Sequence, residues 1–243
     1  MDAAVAGPTS EVAARLAAVQ EEITGAARRS GRDPSAVTLV AVSKTVPPER
    51  ILPALEAGIV HLGENRVQEA EQKVPALPGH VRWHLVGHLQ GNKISRALEL
   101  FTLIHSVDRL ELGRAIGERA QRQGRVAHVL AQVKLTDRET QFGFGEGDVG
   151  SAVLALADCG GLALDGLMCI APKVENAAAT RPYFRRLAGL FGDLAGEVQR
   201  AGHPWRHLSM GMTNDYAVAV EEGATLVRVG RAIFGERAPM PAE

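Results

Sequence analysis

The feature that most constrains this chain is a regular alternation of two kinds of segment. Short apolar runs rich in β-branched residues are each followed by a helical segment, at roughly 25-residue spacing. Strands joined in this way must be parallel, because each connection is a crossover helix. Eight such units predict an α/β fold, a single (β/α)8 TIM barrel. The predicted strands are 37–43, 59–62, 81–86, 103–107, 126–134, 162–168, 206–209 and 225–229.

An extra N-terminal helix precedes the first strand. Apolar residues recur at helical spacing over residues 11–31, and Gly31 ends the pattern. No linker rich in Pro, Gly or Ser divides the chain. We therefore expect residues 1–243 to form one domain, with residues 1–10 flexible.

Composition narrows the classes of function. A formal net charge of −1 gives no broad electrostatic footprint for nucleic acid or an anionic membrane. Cys159 and Cys169 show neither metal-ligand nor disulfide spacing, which favours a reducing compartment. Neither a signal peptide nor a transmembrane run is recognisable. The expected location is the cytoplasm.

The loops after the seventh and eighth predicted strands carry a phosphate-site pattern. Active sites of this fold lie at the C-terminal strand ends, and these two loops often bind phosphate. Ser209–Thr213 and Val229–Gly235 both supply glycine and both open helical segments, whose N-termini favour anions. Ser209 and Thr213 add hydroxyl donors, and Arg231 adds positive charge. Ordinary helix capping explains either loop alone, but the two expected positions together favour phosphate.

Lys44 ends the first predicted strand, which neighbours the eighth strand in a closed barrel. It is therefore expected beside the phosphate loops. Desolvation disfavours the charged form of a lysine, and a neutral amine can form a Schiff base with an aldehyde. Pyridoxal 5′-phosphate carries both an aldehyde and a phosphate. Position alone leaves two alternatives open: pairing with a carboxylate such as Glu64, or binding phosphate as a point charge.

Arg228 places a charge inside the apolar run of the eighth predicted strand, and such a charge needs a partner. That partner is either a neighbouring carboxylate or the phosphate or ring nitrogen of a cofactor. A permanently charged arginine would keep a pyridine nitrogen unprotonated and so weaken carbanion chemistry.

Two further patterns are weaker. His84 and His88 straddle a strand end without a matching carboxylate, so no metal site is predicted. Gly143, Gly145 and Gly147 lack the spacing of a nucleotide loop and predict a mobile loop.

Seven motifs run in order along the chain and together are specific to one family. On them the chain resembles the pyridoxal phosphate homeostasis proteins, once called the proline synthetase co-transcribed family. The motifs are Ala41–Thr45, Gly63–Glu69, Trp83–Lys93, His105–Asp108, Gly166–Met168, Leu208–Met212, and Val227–Gly230 with Ala232–Gly235.

The resemblance implies a fold like the N-terminal barrel of bacterial alanine racemase. It implies that Lys44 carries pyridoxal phosphate as an internal aldimine, and that the protein buffers or delivers the cofactor without robust catalytic turnover. The remaining implied site residues are Asn65, lining the pocket; Ser209, Gly211, Thr213 and Gly230, contacting phosphate; and Arg228, near the cofactor.

Three residues depart from the pattern of the relatives. Thr213 replaces a serine and keeps the hydroxyl. Arg231 stands where many relatives have Thr or Ser, which exchanges a small donor for a charge at the phosphate. Gln141 stands where several relatives have Lys, so cofactor loading can differ here.

The alternative function is an amino-acid racemase that depends on pyridoxal phosphate. Racemisation of this kind resembles a two-base reaction of a lysine and a tyrosine, and in alanine racemases the tyrosine comes from a second domain. Few residues follow the eighth predicted strand here, and neither Tyr183 nor Tyr216 matches that role. The carrier is therefore favoured, as a monomer with enzymes that need the cofactor as transient partners. A phosphate-binding barrel enzyme without pyridoxal phosphate is the third reading.

Overall fold

The computed structural model describes residues 8–136 and 141–236 and confirms the barrel. Within this part of the chain, eight parallel strands close into a ring, and a ninth, short strand pairs outside it. The strands are β1 (Thr38–Val42), β2 (His61–Glu64), β3 (Arg82–Leu85), β4 (Leu103–Val107), β5 (Ala127–Lys134), β6 (Phe144–Gly145), β7 (Leu162–Cys169), β8 (His207–Ser209) and β9 (Leu226–Val229).

Helices surround the ring and cover the outer faces of the strands. Their apolar sides pack on the barrel and on one another, as in other (β/α)8 proteins. The helices are α1 (Pro8–Arg29), α2 (Pro48–Glu56), α3 (Val67–Lys73), α4 (Ile94–Leu100), α5 (Leu110–Arg122), α6 (Val149–Ala157), α7 (Arg181–Arg200), α8 (Tyr216–Glu221) and α9 (Arg231–Phe234).

The predicted N-terminal helix is α1, which packs against α2, α8 and α9. The apolar residues of its helical pattern, including Leu16 and Ile23, are buried. The prediction of flexibility for residues 1–10 falls mainly on residues 1–7, which lie outside the described residues.

Two strand pairings close the ring, and one of them sets the site. β4 pairs with β5, and β1 pairs with β9. In the second pairing Thr38 lies beside Leu226 and Ala41 beside Val229. The chain that leaves β1 at Lys44 and the chain that leaves β9 at Gly230 therefore emerge side by side, as the closed barrel requires.

One segment differs from its sequence reading. The glycine-containing stretch predicted as a mobile loop forms β6, in which Phe144 pairs with Val133 and Gly145 with Lys134. Two residues are too few to give a periodic pattern, so β6 carried no strand signal.

None of the helices in the described residues is long and apolar enough to cross a membrane. The same residues contain no group of His, Cys, Asp and Glu side chains that could hold a metal ion.

Candidate functional site

A cavity of about 850 Å³ lies at the C-terminal ends of the strands. Small-molecule sites commonly have volumes of about 300–1,000 Å³. Most of the residues singled out from the sequence line it: Lys44, Asn65, Thr213, Arg228, Gly230 and Arg231. Ser209 and Gly211 do not line it.

Cations outnumber carboxylates in the described lining of this cavity. The cations are Lys44, Lys173, Arg228 and Arg231, and the carboxylates are Glu175 and Asp215. Asp215 is buried, which raises the pKa of its carboxyl group, and it accepts a hydrogen bond from the Met212 N–H at 2.6 Å. The balance of charge suits an anionic ligand.

Lys44 occupies a sharp turn directly after β1. The next residue, Thr45, has a φ of 62°, a left-handed conformation that is unusual for a β-branched residue. The Thr45 N–H donates to Glu69 Oε2 at 2.9 Å, and the Val46 N–H donates to the Ser43 carbonyl at 2.9 Å. These bonds on both sides fix the backbone that carries Lys44.

A buried ion pair holds the strand end that precedes Lys44. Lys73 Nζ donates to Glu64 Oε1 at 2.7 Å and to the Ser43 carbonyl at 2.7 Å. The Ser43 hydroxyl donates to the same Glu64 oxygen at 2.7 Å. Burial raises the pKa of Glu64, and Lys73 opposes that rise. Glu64, considered from the sequence as a partner for Lys44, is thus bound by Lys73 and Ser43.

Arg228 on β9 is buried, with 5% of its surface exposed, and it also lines the cavity. Its Nη1 donates to Ser209 Oγ at 2.5 Å, and its Nη2 donates to the Cys169 carbonyl at 2.7 Å. Among the described residues it forms no salt bridge, so the carboxylate partner considered from the sequence is not found there. A guanidinium carries five N–H donors, and these two bonds use two of them.

Hydrogen-bond donors without a protein acceptor lie close together after the ends of β8 and β9 in the described residues. The Thr213 hydroxyl and the Arg231 guanidinium line the cavity and have no hydrogen-bond partner within the described ranges. The Arg231 and Ala232 N–H groups open α9, where helical N–H groups lack intrahelical acceptors. A Cβ on Gly230 would lie 2.9 Å from the Val42 carbonyl oxygen, so only glycine fits there without displacement.

Ser209 and Gly211 lie beneath this surface and support Arg228. Ser209 is fully buried, and its Oγ contacts Arg228 and, at 2.9 Å, His105 Nδ1. The Gly211 carbonyl accepts the Arg228 N–H at 3.0 Å. Gly211 has a φ of 87°, and a Cβ there would meet Ala219 Cβ at 2.5 Å, so it lets this loop pack against α8.

A further part of the cavity lining includes Gln132 and Gln141, and Gln132 was not singled out from the sequence. Gln132 Nε2 donates to the Phe142 carbonyl at 2.9 Å. Gln141, noted only as a departure from the relatives, donates to the Ile170 carbonyl at 2.7 Å and accepts from the Thr136 hydroxyl at 2.5 Å. Gln132 lies inside a strand without a recognisable motif, so the sequence gave no signal for it.

Comparisons with known proteins fit this geometry. The family described as "Alanine racemase, N-terminal domain" matches residues 15–238. A pyridoxal phosphate homeostasis protein of Aquifex aeolicus is 41% identical over 224 residues, which are 92% of this chain and 97% of that protein. This chain belongs to the pyridoxal phosphate homeostasis protein family.

Solved structures extend the comparison. PipY of Synechococcus elongatus PCC7942 with PLP bound is 39% identical, with a TM-score of 0.76 over 92% of this chain and 100% of that chain. The same protein without PLP gives a TM-score of 0.81 at 38% identity, with the same coverage. An alanine racemase of Clostridium difficile 630, 14% identical, gives a TM-score of 0.70 over 93% of this chain and 58% of that chain. This last likeness shows the fold alone.

Proposed function

We propose that this protein binds pyridoxal 5′-phosphate at Lys44 and acts in its homeostasis by holding and releasing it. The observation that carries the proposal is the meeting of Lys44 with unpaired anion-binding groups across the β1–β9 pairing. An aldehyde and a phosphate on one small ligand need these two features at short range. The binding of PLP by the related PipY supports the same ligand.

The residues present fit that cofactor. Thr213, Gly230 and the first turn of α9 supply hydroxyl and backbone donors for the phosphate, and Arg231 adds charge. Lys44 supplies the amine for the aldehyde, and Asn65 lines the same cavity. When bound, pyridoxal phosphate supplies an electron sink for carbanions. Arg228 lies in the cavity wall as a permanent cation, which does not support that sink.

A racemase is not favoured by the positions of the tyrosines. The sequence has two. Tyr216 is buried, and its hydroxyl donates to Glu22 on α1. Tyr183 lies on α7, where the Arg186 guanidinium is 5.0 Å from its ring centroid. Neither lines the cavity, so neither is in position to act as a second base opposite Lys44.

The wider setting is also part of the proposal. We infer that the protein works in the cytoplasm as a monomer and meets enzymes that need the cofactor only transiently. Sedimentation of the purified chain, alone and with an apo-enzyme, tests the oligomeric state and the contact.

Addition of pyridoxal phosphate to the purified protein tests the proposed function. We expect a visible absorption band that depends on Lys44 and is lost in Lys44→Ala. Lys173→Ala is the matched control, because Lys173 lines the same cavity, and it should keep the band. Absence of the band in the unaltered protein would refute cofactor binding. Rapid formation of D-alanine from L-alanine by the loaded protein would replace the carrier with a racemase.

A further inference from the structure

A continuous chain of hydrogen bonds runs through the barrel interior and ends at Arg228. His61 Nδ1 lies 2.9 Å from His84 Nε2, and His84 Nδ1 lies 2.9 Å from His105 Nε2. His105 Nδ1 lies 2.9 Å from Ser209 Oγ, which accepts from Arg228. The three histidines stand on the adjacent strands β2, β3 and β4, and the chain then crosses the barrel to β8.

The imidazoles of His84 and His105, in the middle of this series of hydrogen bonds, are neutral. Burial lowers the pKa of His84 to about 3, and the neighbouring His61 adds to the effect. Burial also holds the pKa of His105 well below its ordinary value, with further repulsion from His84 and Arg228. A neutral imidazole has one N–H donor and one bare acceptor nitrogen. The tautomer of each histidine therefore fixes that of the next.

Arg228 and Ser209 set the direction of donation along the whole series of hydrogen bonds. An arginine can only donate, so Ser209 Oγ is the acceptor in their bond. Within the described part of the chain, His105 Nδ1 is the remaining partner of that hydroxyl. Ser209 is fully buried, and a buried donor without an acceptor costs about 1–3 kcal/mol. The hydroxyl proton therefore points to His105 Nδ1, His105 Nε2–H to His84, and His84 Nε2–H to His61.

We propose that His105, aligned by His84 and His61, is a positioning residue for the cofactor. Its Nδ1 accepts the hydrogen bond of the Ser209 hydroxyl, and this orients Ser209 Oγ as the acceptor that holds the Arg228 guanidinium in the cavity wall. This inference rests on the proposed function, because Arg228 is positioned for the ligand of that cavity. It assigns Ser209 to the support of Arg228, whereas the sequence assigned it to the phosphate.

Two substitutions of His105 separate positioning from simple packing. In asparagine the polar atoms follow Cγ, as Nδ1 does in histidine, so His105→Asn keeps an acceptor for Ser209. In glutamine they lie one bond further, as Nε2 does, so His105→Gln keeps the contact with His84 and loses the one with Ser209. His128→Asn is the control. His128 bonds through Nδ1 to Asp165 at 2.7 Å, and none of the hydrogen bonds that link His61 to Arg228 in the described part of the protein involves it.

Binding of pyridoxal phosphate to each full-length variant is the first measurement. Loss of one oriented hydrogen bond to a charged group corresponds to about a tenfold change in affinity. We expect His105→Gln to weaken binding about tenfold and to shift the visible band, whereas His105→Asn and His128→Asn keep nearly full affinity. Equal affinities for the asparagine and glutamine variants of His105 would overturn the positioning role.

The second measurement needs no cofactor. Nitrogen-15 spectra of the histidine side chains should show His105 neutral, with its proton on Nε2, and its Nδ1 signal should move in Ser209→Ala. A proton on Nδ1 would overturn the inference even if the cofactor binds. Conversely, if no Lys44-dependent band forms in the unaltered protein, the proposed function fails. The tautomer of His105 then still tests the direction of the hydrogen bonds between His61 and Arg228.

Discussion

The buried histidines should make the stability of this barrel fall in mild acid. His84 is 4% exposed and His105 is fully buried, and burial is the largest cause of the lowered pKa of each. A group whose pKa is lowered by folding contributes its stability above the pKa of the unfolded chain. That contribution is lost as the pH falls from about 6.5 toward the folded pKa.

The size of the loss follows from the proton balance. At pH 5.5 the unfolded chain has taken up a proton at each of the two histidines, and the folded chain has not. One pH unit below the ordinary value of 6.5 corresponds to about 1.4 kcal/mol for each group. The two groups together lower the free energy of unfolding by about 3 kcal/mol between pH 7.5 and pH 5.5.

Urea unfolding at the two pH values measures this loss, and His105→Asn isolates the contribution of one histidine. Burial raises the pKa values of Glu64 and Asp215, which titrate in the opposite sense, so the variant is compared with the unaltered protein at each pH. The variant should lose about 1.4 kcal/mol less on acidification, whatever its stability at pH 7.5. Identical losses would show that His105 is protonated in the folded chain and would refute the reasoning.

Three further substitutions test the site and its support. Gly230→Ala should weaken pyridoxal phosphate binding about tenfold, because its Cβ would lie 2.9 Å from the Val42 carbonyl; unchanged affinity in a titration would contradict this. Gly189→Ala, on an exposed helical position with nothing within 4 Å of the new Cβ, should leave affinity unchanged and raise stability by about 0.5–1 kcal/mol. Lys73→Met should lower the free energy of unfolding by about 3–5 kcal/mol, because it leaves the buried Glu64 carboxylate unpaired. Adding Glu64→Gln should recover most of that loss in urea unfolding, and no recovery would argue against the pair.

Much of the fold could be predicted because its periodicity is local. The fourth predicted strand has the observed bounds, 103–107, and the fifth begins one residue early. The second strand was placed at 59–62 but lies at His61–Glu64. Its pairing with β3 involves Gly63 and Glu64, and neither residue type signals a strand. Tertiary pairing decided these positions over local preference.

The site could be predicted only in part. Lys44, Thr213 and Gly230 were found because the barrel rule assigns function to strand ends. The chain from His61 to Ser209 was not found, because its members are far apart in sequence and meet only when β4 and β8 face each other across the interior. Lys73 was missed for a similar reason: it ends α3, and only the folded chain brings it to Glu64 and Ser43.

The most direct test of the central claim is to locate the cofactor on the chain. The protein is loaded with pyridoxal phosphate, reduced with borohydride to make the attachment permanent, digested, and analysed by mass spectrometry. We predict a single pyridoxyl adduct on Lys44 and none on the other four of the five lysines in the sequence. An adduct mainly on Lys173, or no adduct at all, would contradict the assignment of Lys44 as the residue that holds the cofactor.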